Sequence, residues 1–436
     1  MEHIVDSWIG YLILILNGLL LIIISLFARK LNRNTQDFFA AGHRVKWPLL
    51  SSSVVVVFAY ASTILLAAEG AYLYGWPAIW LYITSGLSLI VMIPFFKRIK
   101  SILPKGTTLP EFLHAKLGKK VHFMSTIISV YLMFIVLLYM LTGLGSGIGP
   151  LFGISYEMAV IFSGCLIILY NIIGGLWGYS FTDYIQYFIL WITITVAIIA
   201  VVFSVGGFGE VYEGLIENNE TKGYQLLTYD AFIDYGLFML FGYLALALVD
   251  QTILQRVYAI DNEKKLPKML SVGYLAWAFM PMVAGLFGII ALQQGIVLEG
   301  AQTSEVMATV INQLAPFWVI IAFSLLVFNA IASTANSILV GLSNLVMNDV
   351  YLKYINKKAD SNSGKNLLIA RLLVVIGGII GITISATPNS ILSIGQYMVN
   401  FIIVGASPVI MAFLMKRVSA NAVFISMLTG FIVALL

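Results

Sequence analysis

The sequence predicts an all-α integral membrane protein of about twelve transmembrane helices, and three observations carry the prediction. First, 60% of the 436 residues are hydrophobic and 10% are charged, with a mean hydropathy of +0.97, more apolar surface than one soluble core can hide. Second, apolar runs long enough to cross the hydrocarbon, about 20 residues each, recur near 8–28, 46–70, 77–96, 121–145, 156–176, 181–204, 231–254, 269–293, 315–347, 366–386, 391–415 and 420–436. Third, the basic residues sort by loop. With the N-terminus outside, the loops at 29–46, 97–120, 254–268, 348–371 and 416–417 face the cytoplasm and carry 23 of the 24 Lys and Arg. Only Lys222 is left for the outer side, whose loops near 206–230 and 294–314 carry Glu210, Glu213, Glu217, Glu220, Glu299 and Glu305. The positive-inside rule therefore sets a multi-pass orientation in the cell membrane.

The elements follow in order. The first run comes after only MEHIVDS, which lacks the basic start and cleavage site of a secretory signal, so it reads as a retained helix. Residues 1–45 form a peripheral helix and inner loop. Five spans fill 46–204, an outer loop covers 205–230, and five more spans fill 231–415. The two sets start on opposite sides of the membrane, a topology that permits an inverted repeat. Within the inner loop at 97–120, Thr108, Leu109 and Pro110 open a short amphipathic helix with Glu111 in its first turn. GLGSGIGP at 143–150 reads as a helix stop, because no Lys-Ser/Thr follows it to make a phosphate cradle. SNSGK at 361–365 reads as a joint. The segment 416–436 is a last peripheral helix that ends at Leu436 with no polar tail, as in a chain cut short.

Chemistry-bearing residues are few. Cys165 is the single cysteine, and His3, His43, His114 and His122 are scattered through the terminus and inner loops without metal-site spacing. There is no HExxH, GxSxG or Walker sequence and no facing carboxylate pair, which argues against an enzyme and against ATP-driven pumping. The basic residues are explained by topology, so nucleic acid is not an expected partner. Charged groups inside spans are functional candidates by default. Asp183 follows Gly174 and Gly175, which break the chain, and either caps a new helix or holds a ligand. Asp250 precedes Arg256 at an inner end and reads as its structural partner, while Glu69 lies near an outer end.

The most informative stretch is Leu326 to Tyr354. At helical spacing Ala330, Ser333, Thr334, Ser337, Gly341 and Asn344 fall on one face, and the other face is apolar. Such a stripe either lets helix backbones approach or offers neutral oxygens to a hard cation.

Together GGLWGYSFTDYIQ (174–186), AIASTANS (330–337), QRVYAIDNEKK (255–265), FFAAGHRVKWPLL (38–50) and TTLPEFLHAKLG (107–118) resemble the sodium:solute symporter family, in order and over most of the chain. The resemblance implies an inverted five-plus-five helix repeat with two discontinuous core helices. It also implies a sodium ion held by the Val56, Ala59 and Ala330 carbonyls and the Ser333 and Thr334 hydroxyls. A second sodium, as in members similar to sialic acid transporters, would use Asp183, Asn336 and Ser337, with Asn336 standing where Ser is usual. Phe58 departs from the Asp or Asn of several members. Carried over as solute contacts are Tyr60, Ser62, Thr63, Tyr82, Ser85, Tyr243 and Asn400, with Tyr131 and Tyr139 as weaker candidates.

No Lys or Arg lies in the middle of a predicted span, which favours a neutral or zwitterionic solute such as a sugar, polyol or amino acid without excluding a carboxylate. The expected activity is sodium-driven import of a small polar organic solute by alternating access. The alternatives are a transporter-like membrane sensor and proton coupling at Asp183.

Overall fold

The computed structural model describes residues 7–218, 225–356, 364–388, 391–415 and 417–436; Glu220, Lys222 and most of the joint at 361–365 lie outside the described residues. Helices dominate, beginning with α1, Ser7–Arg29. The next span is broken into α2, Trp47–Phe58, and α3, Ala61–Tyr74. After it come α4, Trp76–Ile102, the short α5, Leu109–Leu117, and α6, Lys119–Phe152. The 49-residue α7, Tyr156–Ser204, is too long for one crossing and is interrupted at Gly175, with φ 52° and ψ −152°. That glycine conformation is closed to other residues, and a Cβ there would also overlap the Phe38 ring.

The helix α8, Phe208–Asn218, leads to a second broken span made of α9, Ala231–Val249, and α10, Gln251–Ala259. Asp250 joins them in extended conformation, φ −71° and ψ 103°. The chain continues through α11, Leu266–Gln293, α12, Val306–Leu314, α13, Phe317–Asn344, α14, Gly364–Ser385, α15, Ile391–Leu414, and α16, Ala420–Leu435. The architecture is thus an all-helical membrane bundle in which the first helix of each five-helix half is discontinuous.

Local chemistry accounts for most boundaries. The short helix expected to open at Thr108 does so, and the structure adds a capping box in which Thr108 and Glu111 cap each other's backbone. GLGSGIGP is no helix stop: α6 runs through it and ends at Gly153, which takes a left-handed φ of 62°. The glycines serve packing instead. A Cβ at Gly145 would overlap the Tyr156 ring, and one at Gly147 would meet Val327 at 2.8 Å. The seventh predicted span also runs further than expected, because α10 extends it to Ala259 and carries Arg256 into the bundle rather than into an inner loop.

The core is organised by α13, whose residues from Leu326 through Asn344 are all buried, and which packs on α7, α6 and α2. A second close contact runs along α11. A Cβ at Gly273 would stand 2.8 Å from Val54 of α2, and one at Gly288 would overlap the Ala68 carbonyl oxygen of α3. The Ser51 hydroxyl donates to the Met269 carbonyl at 2.6 Å, so α11 grips both pieces of the first broken span. Because the obstacle at Gly288 is backbone, Gly288→Ala is expected to force α3 and α11 apart and cost about 1–3 kcal/mol. A lowered unfolding temperature of the purified variant checks this; an unchanged one would show that the contact yields freely.

Candidate functional site

A helix that stops inside the bundle leaves carbonyls without their usual N–H partners. At the end of α2 those carbonyls find side chains on opposite sides. Val57 O accepts from the Thr334 hydroxyl at 3.1 Å, and Phe58 O accepts from the Trp277 indole N–H at 2.8 Å. Val56 and Ala59 bracket this pair and are fully buried. Across the break, Ala330, Ser333 and Thr334 of α13 are equally buried, and the Thr334 hydroxyl also reaches its own Ala330 carbonyl at 3.2 Å. Thr334 therefore links one carbonyl at the end of α2 to one on its own helix. The donors are neutral and hard, carbonyls and hydroxyls without a thiolate or imidazole, a set suited to an alkali cation rather than a transition metal.

One turn further in, the structure assembles a charged cluster. Asp183 of α7 and Arg256 of α10 form an ion pair at 3.0 Å with both side chains fully buried. The Ser333 hydroxyl donates to Asp183 Oδ1 at 2.5 Å, and the Ser53 hydroxyl of α2 donates to Oδ2. Ser53 in turn accepts from Arg256 Nε at 2.7 Å, and Ser337 accepts from Nη2 at 2.8 Å. The Tyr179 ring lies 4.9 Å from the guanidinium carbon. Of the three residues expected to hold a second sodium, Asp183 and Ser337 thus converge on Arg256. Asn336 gives its backbone carbonyl to Asn171, 3.0 Å, while its own Oδ1 is buried without a partner. The Asp250–Arg256 pair read from sequence does not form. Asp250 Oδ1 instead caps α10, accepting from Thr252 N at 2.7 Å and Thr252 Oγ1 at 2.6 Å, and Oδ2 is left unpartnered.

The expected solute residues divide. Thr63, Tyr82 and Tyr243 come together: the Tyr243 hydroxyl lies 3.4 Å from Thr63 Oγ1 and 3.3 Å from the Tyr82 hydroxyl. Tyr60 and Tyr243 flank the Phe58 ring with centroids at 6.4 and 6.3 Å. Ser85 does not join them, because its hydroxyl is buried and donates to the Tyr82 carbonyl of its own helix. Asn400 is exposed, and the side chain of Ser62 lies outside the described residues. Tyr131 bonds Tyr397 at 3.0 Å beside Phe401 and Phe431, a cluster of its own. Two aromatic neighbours escaped the sequence reading. Tyr274 and Trp277 of α11 sit 5.9 and 5.5 Å from Phe58. A Trp well inside a span, away from the interfaces where Trp usually lies, was the available signal.

At one end of the bundle the chain just before the first broken span is tied to the end of the second. Val45 N donates to the Ala259 carbonyl and Asp261 N to the Val45 carbonyl, each at 3.0 Å. The Tyr258 carbonyl also takes Lys100 Nζ at 2.9 Å and meets His43 Nδ1 at 2.6 Å. Neutral His43 with its proton on Nδ1 fits both of its contacts, donating to Tyr258 and accepting from Gln36 Nε2 at 3.1 Å through Nε2. Burial lowers the His43 pKa, Lys100 and Lys105 push the same way, and the Tyr258 bond opposes them.

Known proteins share both this sequence pattern and this architecture. A sequence model of the sodium:solute symporter family matches residues 38–430. The chain belongs to that family. This symporter-family chain is similar to sodium/proline symporter 2 of Staphylococcus saprophyticus, 27% identical over 99% of the chain and 86% of the relative. It is also similar to the probable urea active transporter 1 of Schizosaccharomyces pombe, 25% identical over 97% of the chain and 69% of the relative. Its fold resembles a Na+-coupled sialic acid symporter in a substrate-bound outward-open state, with TM-score 0.79, 18% identity, and 98% of this chain and 96% of that one covered. MhsT in complex with L-phenylalanine shares the fold at TM-score 0.61 and 14% identity, with 88% of this chain and 98% of that one covered. Family membership supports sodium-coupled symport of a solute as the coarse activity.

The charged groups make measurable contributions. Arg256→Met strands a buried carboxylate and is expected to cost about 3–5 kcal/mol, whereas Asp183→Asn with Arg256→Met should lose less than the sum of the single changes; a double-mutant cycle of unfolding midpoints checks the coupling. For His43 the lowered folded pKa means that its stabilising contribution is full above the unfolded value of about 6.5 and declines as pH falls through the window below it. Wild type is therefore expected to lose unfolding temperature between about pH 7.5 and about pH 5.5 more steeply than His43→Gln, and parallel profiles would show that the His43 contact with Tyr258 adds no stability.

Proposed function

We propose that this chain imports a small polar organic solute with one sodium ion by alternating access, its N-terminus outside and its basic loops in the cytoplasm. Sodium is bound as co-transported cargo by the Val56, Ala59 and Ala330 carbonyls and the Ser333 and Thr334 hydroxyls. The observation that carries this reading is the contact of the Thr334 hydroxyl with the Val57 carbonyl, next in the chain to Val56 at the end of α2, because an ion beside it joins the broken helix to α13. Closure of the inner face at Val45 and Ile260 fits a carrier accessible from outside. Inward opening separates α2 from α13, takes oxygens away from the ion, and releases it into a cytoplasm low in sodium. One charge moving inward across about 100 mV contributes about 2.3 kcal/mol to uptake.

The count of one sodium rests on Arg256. Its guanidinium donates to Asp183 and Ser337, the oxygens assigned to a second ion, so a positive charge already occupies their focus. The same cluster weakens proton coupling at Asp183, since the paired Arg256 guanidinium favours the ionised carboxylate over the protonated one.

The solute is met by the Thr63, Tyr82 and Tyr243 hydroxyls and by the Tyr60 and Phe58 rings, a neutral, aromatic surface suited to an uncharged or zwitterionic molecule. Relatives named for urea and proline transport are of this size class.

The test is the unfolding temperature of purified protein in sodium against potassium chloride at equal ionic strength. Wild type is expected to gain stability in sodium, and Thr334→Ala, which removes one oxygen, to need a severalfold higher sodium concentration for half the gain. Identical wild-type curves in both salts would overturn sodium coupling, and an unchanged Thr334→Ala midpoint would overturn the site.

A further inference from the structure

The peptide units at the end of α2 are held by two side chains, and only one of them belongs to the expected sodium site. Thr334 holds the Val57 carbonyl from α13. Trp277 holds the Phe58 carbonyl from α11. We propose that Trp277 is a positioning residue for transport, fixing the Phe58–Ala59 peptide so that the Ala59 carbonyl is aimed for sodium while the same indole ring backs the solute residues. The proposal rests on the sodium reading given above.

The geometry supports each half. Two consecutive carbonyls pinned to helices on opposite sides determine the orientation of the peptide planes between Val57 and Ala59. The carbonyls just outside that pair, Val56 and Ala59, are the ones assigned to the ion. Without the indole N–H the Phe58 carbonyl would be a buried acceptor lacking its partner, and the local chain would turn to satisfy it. On its other side the Trp277 ring lies 4.9 Å from the Tyr243 ring and 5.9 Å from the Tyr82 ring. Those two tyrosines share a hydroxyl contact of 3.3 Å. The side chain is fully buried and therefore has no freedom to move independently of either group. One rigid indole thus touches the peptide beside the ion and the rings beside the solute, so a shift imposed by one cargo is felt by the other.

The experiment measures the sodium concentration giving half of the sodium-dependent rise in unfolding temperature. Three proteins are compared: wild type, Trp277→Phe, and a protein carrying benzothienylalanine at 277, which replaces the N–H by sulfur and keeps the shape so that folding is retained. Tyr274→Phe is the control. It removes a buried hydroxyl without a hydrogen-bond partner from the same aromatic cluster. Loss of one hydrogen bond's worth of positioning predicts a roughly threefold to tenfold rise in that concentration for both 277 variants and no change for Tyr274→Phe. Unfolding temperature in potassium should stay near wild type for the benzothienylalanine protein, which separates positioning from loss of packing. A wild-type sodium midpoint in the benzothienylalanine protein would overturn the proposal, even if Trp277→Phe were weakened or failed to fold. A wild type that gains no stability from sodium would instead overturn the sodium reading on which it rests.

Discussion

The arrangement depends on burying the ion pair of Asp183 and Arg256 without leaving either charge short of partners. An isolated charge in such an interior costs several kcal/mol, and a pair recovers this only when the remaining donors and acceptors are satisfied. Here two serines complete the carboxylate and Ser53, Ser337 and the Thr252 carbonyl complete the guanidinium. The participants come from α2, α7, α10 and α13, so satisfying one pair aligns four helices. Ser333 belongs both to this cluster and to the oxygens proposed for sodium, so the proposed site shares a side chain with the pair.

The two interruptions extend the same logic to the backbone. Regular helix would hide every carbonyl within the bundle. Breaking α2 from α3 releases carbonyls to Thr334 and Trp277, and breaking α9 from α10 gives Asp250 a helix end to cap. Both interruptions lie within reach of neutral oxygens and aromatic rings rather than lipid, the setting in which irregular backbone is tolerated in a membrane.

Much of this was legible in the sequence. The polar stripe on α13, the glycine break at 174–175 and the helix start at Thr108 are local patterns, and local patterns survive folding. Arg256 was misplaced because its loop assignment turned on where a span ends, and the span continues past Asp250 as a second helix. Its partner was missed for a related reason: Asp250 is the near carboxylate in sequence, yet a helix end claims it, while Asp183 is 73 residues away along the chain. The glycines of 143–150 read as a stop because nothing in the sequence shows that Tyr156 and Val327 press against them. The tie between the two broken spans was invisible, since it converges on backbone carbonyls at Tyr258 and Ala259 that every residue possesses.

The course of α11 has a mechanical consequence. It lies along α2 at Gly273, meets the fracture at Trp277, and lies along α3 at Gly288, so it acts as a splint across a broken bone. The splint contains Pro281, one turn beyond Trp277, where the helical hydrogen-bond ladder is already short of a donor. The part of α11 before Pro281 lies on α2 and the part after it lies on α3, so the missing hydrogen bond falls where the splint passes from one fragment of the broken helix to the other.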